Sequence, residues 1–343
     1  MNINSNFWTN KKVLITGHTG FKGSWLSQFL KYQNSQVFGL SNYDVISDNY
    51  HSMDKNIFTE EFELDIVSDL NEIESIFLKN EFEVVFHLAA QGIVSTAKSN
   101  PLGTINSNIV GTFNVLNSIN QTSNPATLVI STTDKVYLNT SINNIESDHL
   151  GGQEYYSASK AATEHIISAF TNSEKKQDLN VGVIRSGNVL GGGDGGKDRI
   201  QTDVINSLKS GEDIVLRNPK SVRPWQFILD SISGYVLTAQ YCNDNRKDEI
   251  FNLNSKPNND YTVENLVKAF INSWTSKKVN IVHKDSDMYE SEVLTIDSSK
   301  ANKLLNWRAI EDINSIAYKT VKWEKENMKG NNLSFLQIDE FLN

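Results

Sequence analysis

Two short stretches carry side chains whose types and spacing could do chemistry. In "YYSASK", Tyr156 and Lys160 stand four residues apart, which on a helix places both on one face. An ammonium beside a phenol lowers its pKa, and the phenolate can then take a proton near neutral pH. In "VISTTDKVYLN", residues 129–139, a β-branched run ends abruptly in Thr133, Asp134 and Lys135. A strand that stops on hydroxyl, carboxylate and ammonium groups puts chemistry at its carboxyl end, where open parallel sheets bind ligands. A solvated turn is the alternative reading of that fragment alone. The Tyr-to-Lys spacing is itself unselective, because Tyr318 and Lys322 repeat it. Only the first pair follows a strand that ends in polar groups; the second lies beside Trp323, where a plain helix face is the natural reading.

A third stretch, "TGHTGFKG", spaces Gly17, Gly20 and Gly23 as GxxGxxG and includes Thr19, Phe21 and Lys22. Between a first strand and a first helix, such glycines let the backbone turn and approach a pyrophosphate, and the helix N-terminus offers free N–H groups. Asp65 in "LDIVSD" follows a strand end, placed either to accept from an adenine amino group or to cap the next helix. At the end of the second strand, "GLSNYD" has Ser41 where an acid for the ribose hydroxyls would stand, with Asp44 three residues later. No Arg or Lys is there to meet a 2′-phosphate, so NAD is favoured over NADP. Four of the six arginines, Arg185, Arg199, Arg217 and Arg223, fall between residues 185 and 223 among glycines and prolines. Their rigid forks suit phosphate oxygens in loops lining a pocket, surface salt bridges being the alternative.

The elements that must position these groups are legible from periodicity. Strands are expected at 12–16, 36–40, 83–90, 127–132 and 180–187, and helices over "SWLSQFLKY", "NIVGTFNVLNSI" and "SASKAATEHIISAF". Strands alternating with helices imply parallel βαβ units, hence an α/β, Rossmann-type doubly wound sheet. Beyond about residue 188 the alternation fails, "GNVLGGGDGGKDR" giving a glycine-rich loop without a strand pattern. "EIFNLNS" at 249–255 is expected to rejoin the sheet. The chain therefore reads as an NAD-binding domain over 1–187 and a smaller, interleaved C-terminal α/β lobe over 188–343. The polar segment "SNYDVISDNYHSMDKN" reads as a surface connection.

Composition narrows the function classes. A chain of 343 residues exceeds the ~250–300 over which one core usually grows. A net charge of −9 argues against a nucleic-acid surface, which needs excess positive charge, so an anionic ligand must meet a local basic site. The single cysteine, Cys242, allows no internal disulfide and no multi-cysteine metal site, and no metal is expected. The start, "MNINSNFWTNKK", lacks the apolar core of a signal peptide, and no apolar run approaches the ~18 residues of a membrane span. A cytoplasmic protein with no membrane or nucleic-acid partner is expected.

Taken together the motifs resemble the extended short-chain dehydrogenase/reductase superfamily and, within it, the CDP-glucose 4,6-dehydratases. The likeness rests on "TGHTGFKGSWL", "FHLAAQ", "TTDKVY", "LGGQEYYSASKAATE", "IRSGNVLGGGD", "RNPKSVRPWQFILDSISGY" and "DSSKANKLLNW", in the right order from about Lys11 to Phe341. Two positions depart: Gly92 stands where proline is commoner, and "GGGDGGKDR" is richer in glycine than usual.

The resemblance implies a lyase of deoxysugar biosynthesis, with tightly bound NAD, that converts CDP-D-glucose to CDP-4-keto-6-deoxy-D-glucose and water. In that scheme Tyr156 takes the 4-hydroxyl proton as hydride passes to NAD, Thr133 bonds the 4-oxygen, and Lys160 supports the phenolate. Asp134 is then the acid for the departing C6 hydroxyl and Lys135 the base for the C5 proton, where dTDP-glucose dehydratases carry an Asp-Glu pair. Crowding beside Lys160 is expected to depress the Lys135 pKa. Gly17, Thr19, Gly20, Phe21, Lys22, Gly23, Asp65, Ile66, Leu88, Ala89, Ala90 and Asn108, with Tyr156 and Lys160, would hold NAD. Gln91, Asn188, Arg199, Arg217 and Arg223 would hold the nucleotide sugar, and the helices around Asn108 and Tyr156 would pair copies as a homodimer or homotetramer. A 4-epimerase or reductase of the same fold would keep Tyr156 and Lys160 without needing Asp134 and Lys135; a non-catalytic NAD-binding protein would need none of them.

Overall fold

Five β-branched or apolar runs and two less regular ones form one seven-stranded sheet. In the computed structural model, which describes residues 3–139, 143–255, 258, 260–274, 279–284 and 295–343, these are β1 (Lys12–Thr16), β2 (Gln36–Ser41), β3 (Phe58–Glu63), β4 (Val84–His87), β5 (Ala126–Ser131), β6 (Leu179–Ser186) and β7 (Glu249–Leu253). They lie in the order β7-β6-β5-β4-β1-β2-β3, every neighbouring pair parallel. The chain leaves β1 toward β2 and β3 and then returns to its other side for β4. This reversal opens a crevice at the carboxyl ends of β1 and β4, where such sheets take ligands.

Both sheet faces are covered, as parallel sheets require. Alternate residues of each strand serve opposite cores. Val13, Ile15, Val84, Phe86 and Val129 join one, with helices α1 (Phe21–Tyr32), α5 (Ile200–Ser210) and α6 (Ile228–Asn245). Leu14, Val85, Leu128, Ile130 and Val183 join the other, with α2 (Leu70–Asn80), α3 (Gly111–Asn120) and α4 (Tyr155–Ser173). All eight residues of β6 are buried, the polar Asn180, Arg185 and Ser186 included. As expected, residues 249–253 rejoin the sheet, Glu249 lying opposite Gly182.

Three expectations need correction. The segment read as a surface connection turns through a short helix, Asp48–Ser52, capped by Ser47, and buries Asn49, Tyr50 and Met53. Its polar letters hide a hydrogen-bonded core in which Tyr50 reaches Glu61 at 2.6 Å. Past residue 188 strands do occur: Val189–Leu190 pairs with Gln226–Phe227, and Ile214–Leu216 with Ile281–His283, each too short to show a period. The helix expected from residue 108 begins with a π-turn, Asn106–Val110, a feature that often marks functional sites.

The glycine loop fixes how tightly α1 seats on the sheet. Gly17 has φ +72°, and a Cβ there would lie 2.8 Å from the Ala89 nitrogen. A Cβ on Gly23 would lie 2.2 Å from the Gly17 carbonyl oxygen. Gly23→Ala must therefore push α1 off the loop and is expected to cost ~1–3 kcal/mol by overpacking. Urea unfolding checks this: the midpoint falls with an unchanged slope, whereas a native midpoint would show that the loop tolerates the methyl group.

Candidate active site

The carboxyl ends of β1, β4 and β5 carry the candidate groups. Gly20 begins α1 without a side-chain cap, so the N–H groups of the first turn face the crevice uncapped by any side chain. With the close approach of Gly17 to Ala89, this is the cradle a pyrophosphate needs, and the residues present fit a bound dinucleotide. Thr19 Oγ1 meets Ser41 Oγ at 2.8 Å and the Val45 carbonyl at 2.7 Å, tying the loop to the end of β2.

Past β5, Thr133 caps a single 3-10 turn, Asp134–Val136, and donates from Oγ1 to Asp134 Oδ1 at 3.0 Å. Asp134 is 1% exposed, and its Oδ2 is buried with no hydrogen-bond partner among the described residues. A buried carboxylate oxygen without a donor costs free energy unless a ligand satisfies it. Lys135 Nζ lies 3.8 Å from Asp134 Oδ1 and is partly exposed. Opposite this turn stands α4, whose first turn is held by a capping box between Glu154 and Ser157. Tyr156 sits in that turn, and Lys160 one turn on donates to the Ser131 carbonyl oxygen at 3.1 Å.

One electrostatic expectation fails here. Tyr156 is not acidified: burial pushes its phenol up to about 12, against a hydrogen bond from Thr133 and the Arg199 charge, which pull it down. The sequence shows the cation but not the desolvation, and the Lys160 ammonium is spent on Ser131. The cation bearing on Lys160 is Lys22. Burial and the Lys22 ammonium bring Lys160 down to about 8, and burial and Arg199 bring Lys22 down to about 8.

The arginines part company. Arg185 is 2% exposed and grips Glu164 through Nε at 3.0 Å to both carboxylate oxygens. It is a core ion pair, not a pocket cation, because its place on β6 points it between sheet and α4. Arg199 pairs with buried Asp194 at 2.9 Å and still bears on both Tyr156 and Lys22. Arg217 is exposed, its charge acting on Asp203, and Arg223 is buried, donating to the Val222 carbonyl at 2.8 Å. The Asn188 carbonyl accepts from the Gln226 N–H at 3.0 Å.

Several candidate binding residues are engaged within the protein. Asn108 accepts from the Gln91 N–H at 2.8 Å and donates to the Gln91 carbonyl and to Ser159 Oγ, clasping the loop after β4 to α4. The Gln91 amide bonds Ile93 and Thr104. Asp65 Oδ1 accepts from the Val67 and Ser68 N–H groups, closing a turn, while Oδ2 accepts from Asn42 at 2.8 Å. Ile66 is buried, and its carbonyl accepts from Asn114; Leu88, Ala89 and Ala90 are half-buried along the crevice.

Four further residues, given no role by the sequence reading, support the site. His87 bridges Thr16 and Thr112 at 2.7 and 3.0 Å, and burial with the nearby Lys160 charge lowers its pKa to about 3, so it is neutral. Tyr235 on α6 meets Ser131 Oγ at 2.6 Å. Glu61 holds buried His18 at 2.9 Å behind the glycine loop. Glu164 joins Arg185 to Thr132, whose Oγ1 donates to it at 2.7 Å. His87, Tyr235 and Glu164 lie within motifs that carry the resemblance, and Glu164 also stands four residues beyond Lys160 on the same helix face.

Known proteins resemble this chain in sequence or in fold. The GDP-mannose 4,6 dehydratase family profile matches residues 14–320. CDP-glucose 4,6-dehydratase of Salmonella typhimurium is 33% identical over 346 residues, covering 96% of this chain and 95% of that protein. dTDP-D-glucose 4,6-dehydratase of Dictyostelium discoideum is 29% identical over 281 residues, 76% of this chain and 62% of that protein. Among solved structures, UDP-glucose-4-epimerase from Stenotrophomonas maltophila with bound NAD and formylated UDP-arabinopyranose has a TM-score of 0.80 at 20% identity, covering 94% and 100% of the two chains. UDP-glucose 4-epimerase from Thermotoga maritima with UDP-glucose has a TM-score of 0.80 at 21% identity, covering 92% and 99%. The structures share the fold.

The Glu164–Arg185 pair yields a stability test. Glu164→Ala leaves a buried guanidinium without its carboxylate and is expected to cost ~3–5 kcal/mol. Adding Arg185→Met should restore much of that loss, since the uncompensated charge is gone. Denaturant unfolding of the single and double variants decides; additive losses would mean that the pair is not the constraint.

Proposed function

We propose, from the premise that this chain belongs to the GDP-mannose 4,6 dehydratase family, that it removes water from CDP-D-glucose to give CDP-4-keto-6-deoxy-D-glucose for deoxysugar biosynthesis, with NAD regenerated in each turnover. The single observation that carries this reading is the buried, unpartnered Oδ2 of Asp134 beside Lys135 at the end of β5. A redox enzyme confined to C4 has no use for that pair.

In this reading residues 1–187, with the strand at 249–253, hold the cofactor, and 188–343 the nucleotide sugar. Gly17, Gly20, Gly23 and the first turn of α1 take the pyrophosphate, and the acidic end of β2, with Asp44 and Asn42, suits a free ribose. NAD, when bound, supplies the hydride acceptor and donor and a positive charge over the site. Tyr156, protonated in the cofactor-free protein, would act as the phenolate that the positive charge of bound NAD favours; its Oη then takes the proton of the sugar 4-hydroxyl, and Thr133 Oγ1 bonds the 4-oxygen. Lys135 Nζ then takes the C5 proton, which the neighbouring ketone acidifies, while Asp134 gives a proton to the C6 oxygen as it leaves in water. Both groups start in the wrong form as an ion pair. Passing one proton from Lys135 to Asp134, whose groups lie 3.8 Å apart, makes both the acid and the base. Asn188, Arg199, Arg217 and Arg223 meet the diphosphate, whose binding energy orients the distant sugar.

Incubation with CDP-, dTDP-, UDP- and GDP-glucose, without added NADH, tests the assignment. The 4-keto product, read by its absorbance in alkali, should form from CDP-glucose first; a 4-epimer and no ketone would mean an epimerase. Lys135→Ala should bind both ligands and lose ~10²–10⁴-fold in product formation, with no solvent deuterium entering C5. Normal C5 exchange in that variant would place the base elsewhere.

We also assign the protein to the cytoplasm and to a homodimer. No helix among the described residues is long and apolar enough to cross a membrane. Leu102, Ile105, Val110 and Phe113 are exposed along one face beside α4, an apolar patch suited to a second copy. Sedimentation velocity should give a dimer, or a dimer of dimers, that Phe113→Glu breaks to monomers; a native monomer would remove the assignment.

A further inference from the structure

We propose that Lys22 is a positioning residue whose charge sets the charge state of Lys160 across a bridge made by the Tyr235 hydroxyl and by the side chain and carbonyl of Ser131. The inference rests on the dehydratase reading only for the role it gives Lys160. Lys22 stands in the first turn of α1, its Nζ 3.4 Å from Tyr235 Oη and 5.6 Å from the ring centroid. Tyr235 Oη lies 2.6 Å from Ser131 Oγ, and the Ser131 carbonyl accepts from Lys160 Nζ at 3.1 Å. Four elements, α1, α6, β5 and α4, thus meet in one chain of contacts with an amine at each end.

The surrounding charges fix how the two amines behave. Lys22 faces Arg199, Asp134 and Asp194. Lys160 faces Lys22 and Glu164, and the adjacent His87 is neutral. Tyr156 and Tyr235, each with its phenol pushed up to about 12 by burial, stay protonated. Near pH 8, where both lysines titrate, they are the groups of this cluster that change charge, and Lys22 is the largest charge acting on Lys160. Such neighbours release protons as a pair rather than singly. A charged Lys22 makes Lys160 lose its proton sooner. A neutral Lys22 lets Lys160 keep its ammonium, and with it the hold on Ser131 and the support for Tyr156.

The sign can be tested without cofactor or substrate. Carbon-13 NMR of lysine ε-carbons in the cofactor-free protein, with Lys160 assigned through Lys160→Arg, reads its titration midpoint directly. In Lys22→Met, which keeps the length and removes the charge, the midpoint should rise by about one pH unit, a tenfold gain in proton affinity. In Lys22→Arg, whose charge persists throughout, it should fall below the native value. The alkaline limb of the kcat profile should move the same way in each variant. An unchanged Lys160 midpoint in Lys22→Met, or shifts of the same sign in both variants, would overturn the proposal; so would a kcat loss with no shift of the limb. Should Lys22→Met fail to fold, a native midpoint in Lys22→Arg is enough to reject it. Because the NMR readout needs no substrate, a failure of the dehydratase reading would leave it standing.

Discussion

The Glu164–Arg185 ion pair is the interaction on which the site geometry depends. Glu164 lies on α4 four residues beyond Lys160 and eight beyond Tyr156, so all three share a face. Its carboxylate takes Thr132 at the end of β5 and Arg185 on β6. Arg185 also donates to Tyr137 Oη at 2.8 Å and to the Glu146 carbonyl at 3.0 Å. The turn bearing Asp134 and Lys135 is thereby anchored on both flanks to the helix bearing Tyr156. A buried pair of this kind contributes little net stability, but it allows one arrangement of strand, turn and helix.

Burial, more than pairing, sets the electrostatics around that frame. Desolvation is the largest influence on Lys22, Lys160, Tyr156, His87 and Asp194. In a chain of net charge −9, the cations Lys22, Lys160 and Arg199 gather here against Asp134, Asp194 and Glu164. Cations are thus gathered locally without the whole surface being basic, and the desolvated lysines hold their protons loosely enough to respond near pH 8.

Local pattern made part of this readable from sequence. The glycine loop, the strands and the Tyr156–Lys160 helix depend on neighbours within a few residues, where period and turn chemistry operate. The Asp134–Lys135 pair was visible because a strand stopped on it. What stayed hidden depends on contacts across the chain. Arg185 sits among arginines in sequence, but strand geometry turns it inward. Residues 41–56 look polar, yet Asn49 is buried through hydrogen bonds and Tyr50 through a hydrogen bond together with packing on Met53 and Ile57. The Tyr156 phenol looked acidic because a sequence displays a cation but not the depth at which the phenol lies.

The central claim is that one site oxidises, eliminates and reduces the same sugar. Turnover of CDP-glucose carrying deuterium at C4, followed by mass spectrometry and NMR of the product, tests it most directly. The account predicts that the deuterium reappears at C6 of the 4-keto-6-deoxy product, with none released to solvent. Deuterium retained at C4 of an epimerised sugar, or lost to free NADH, would contradict it.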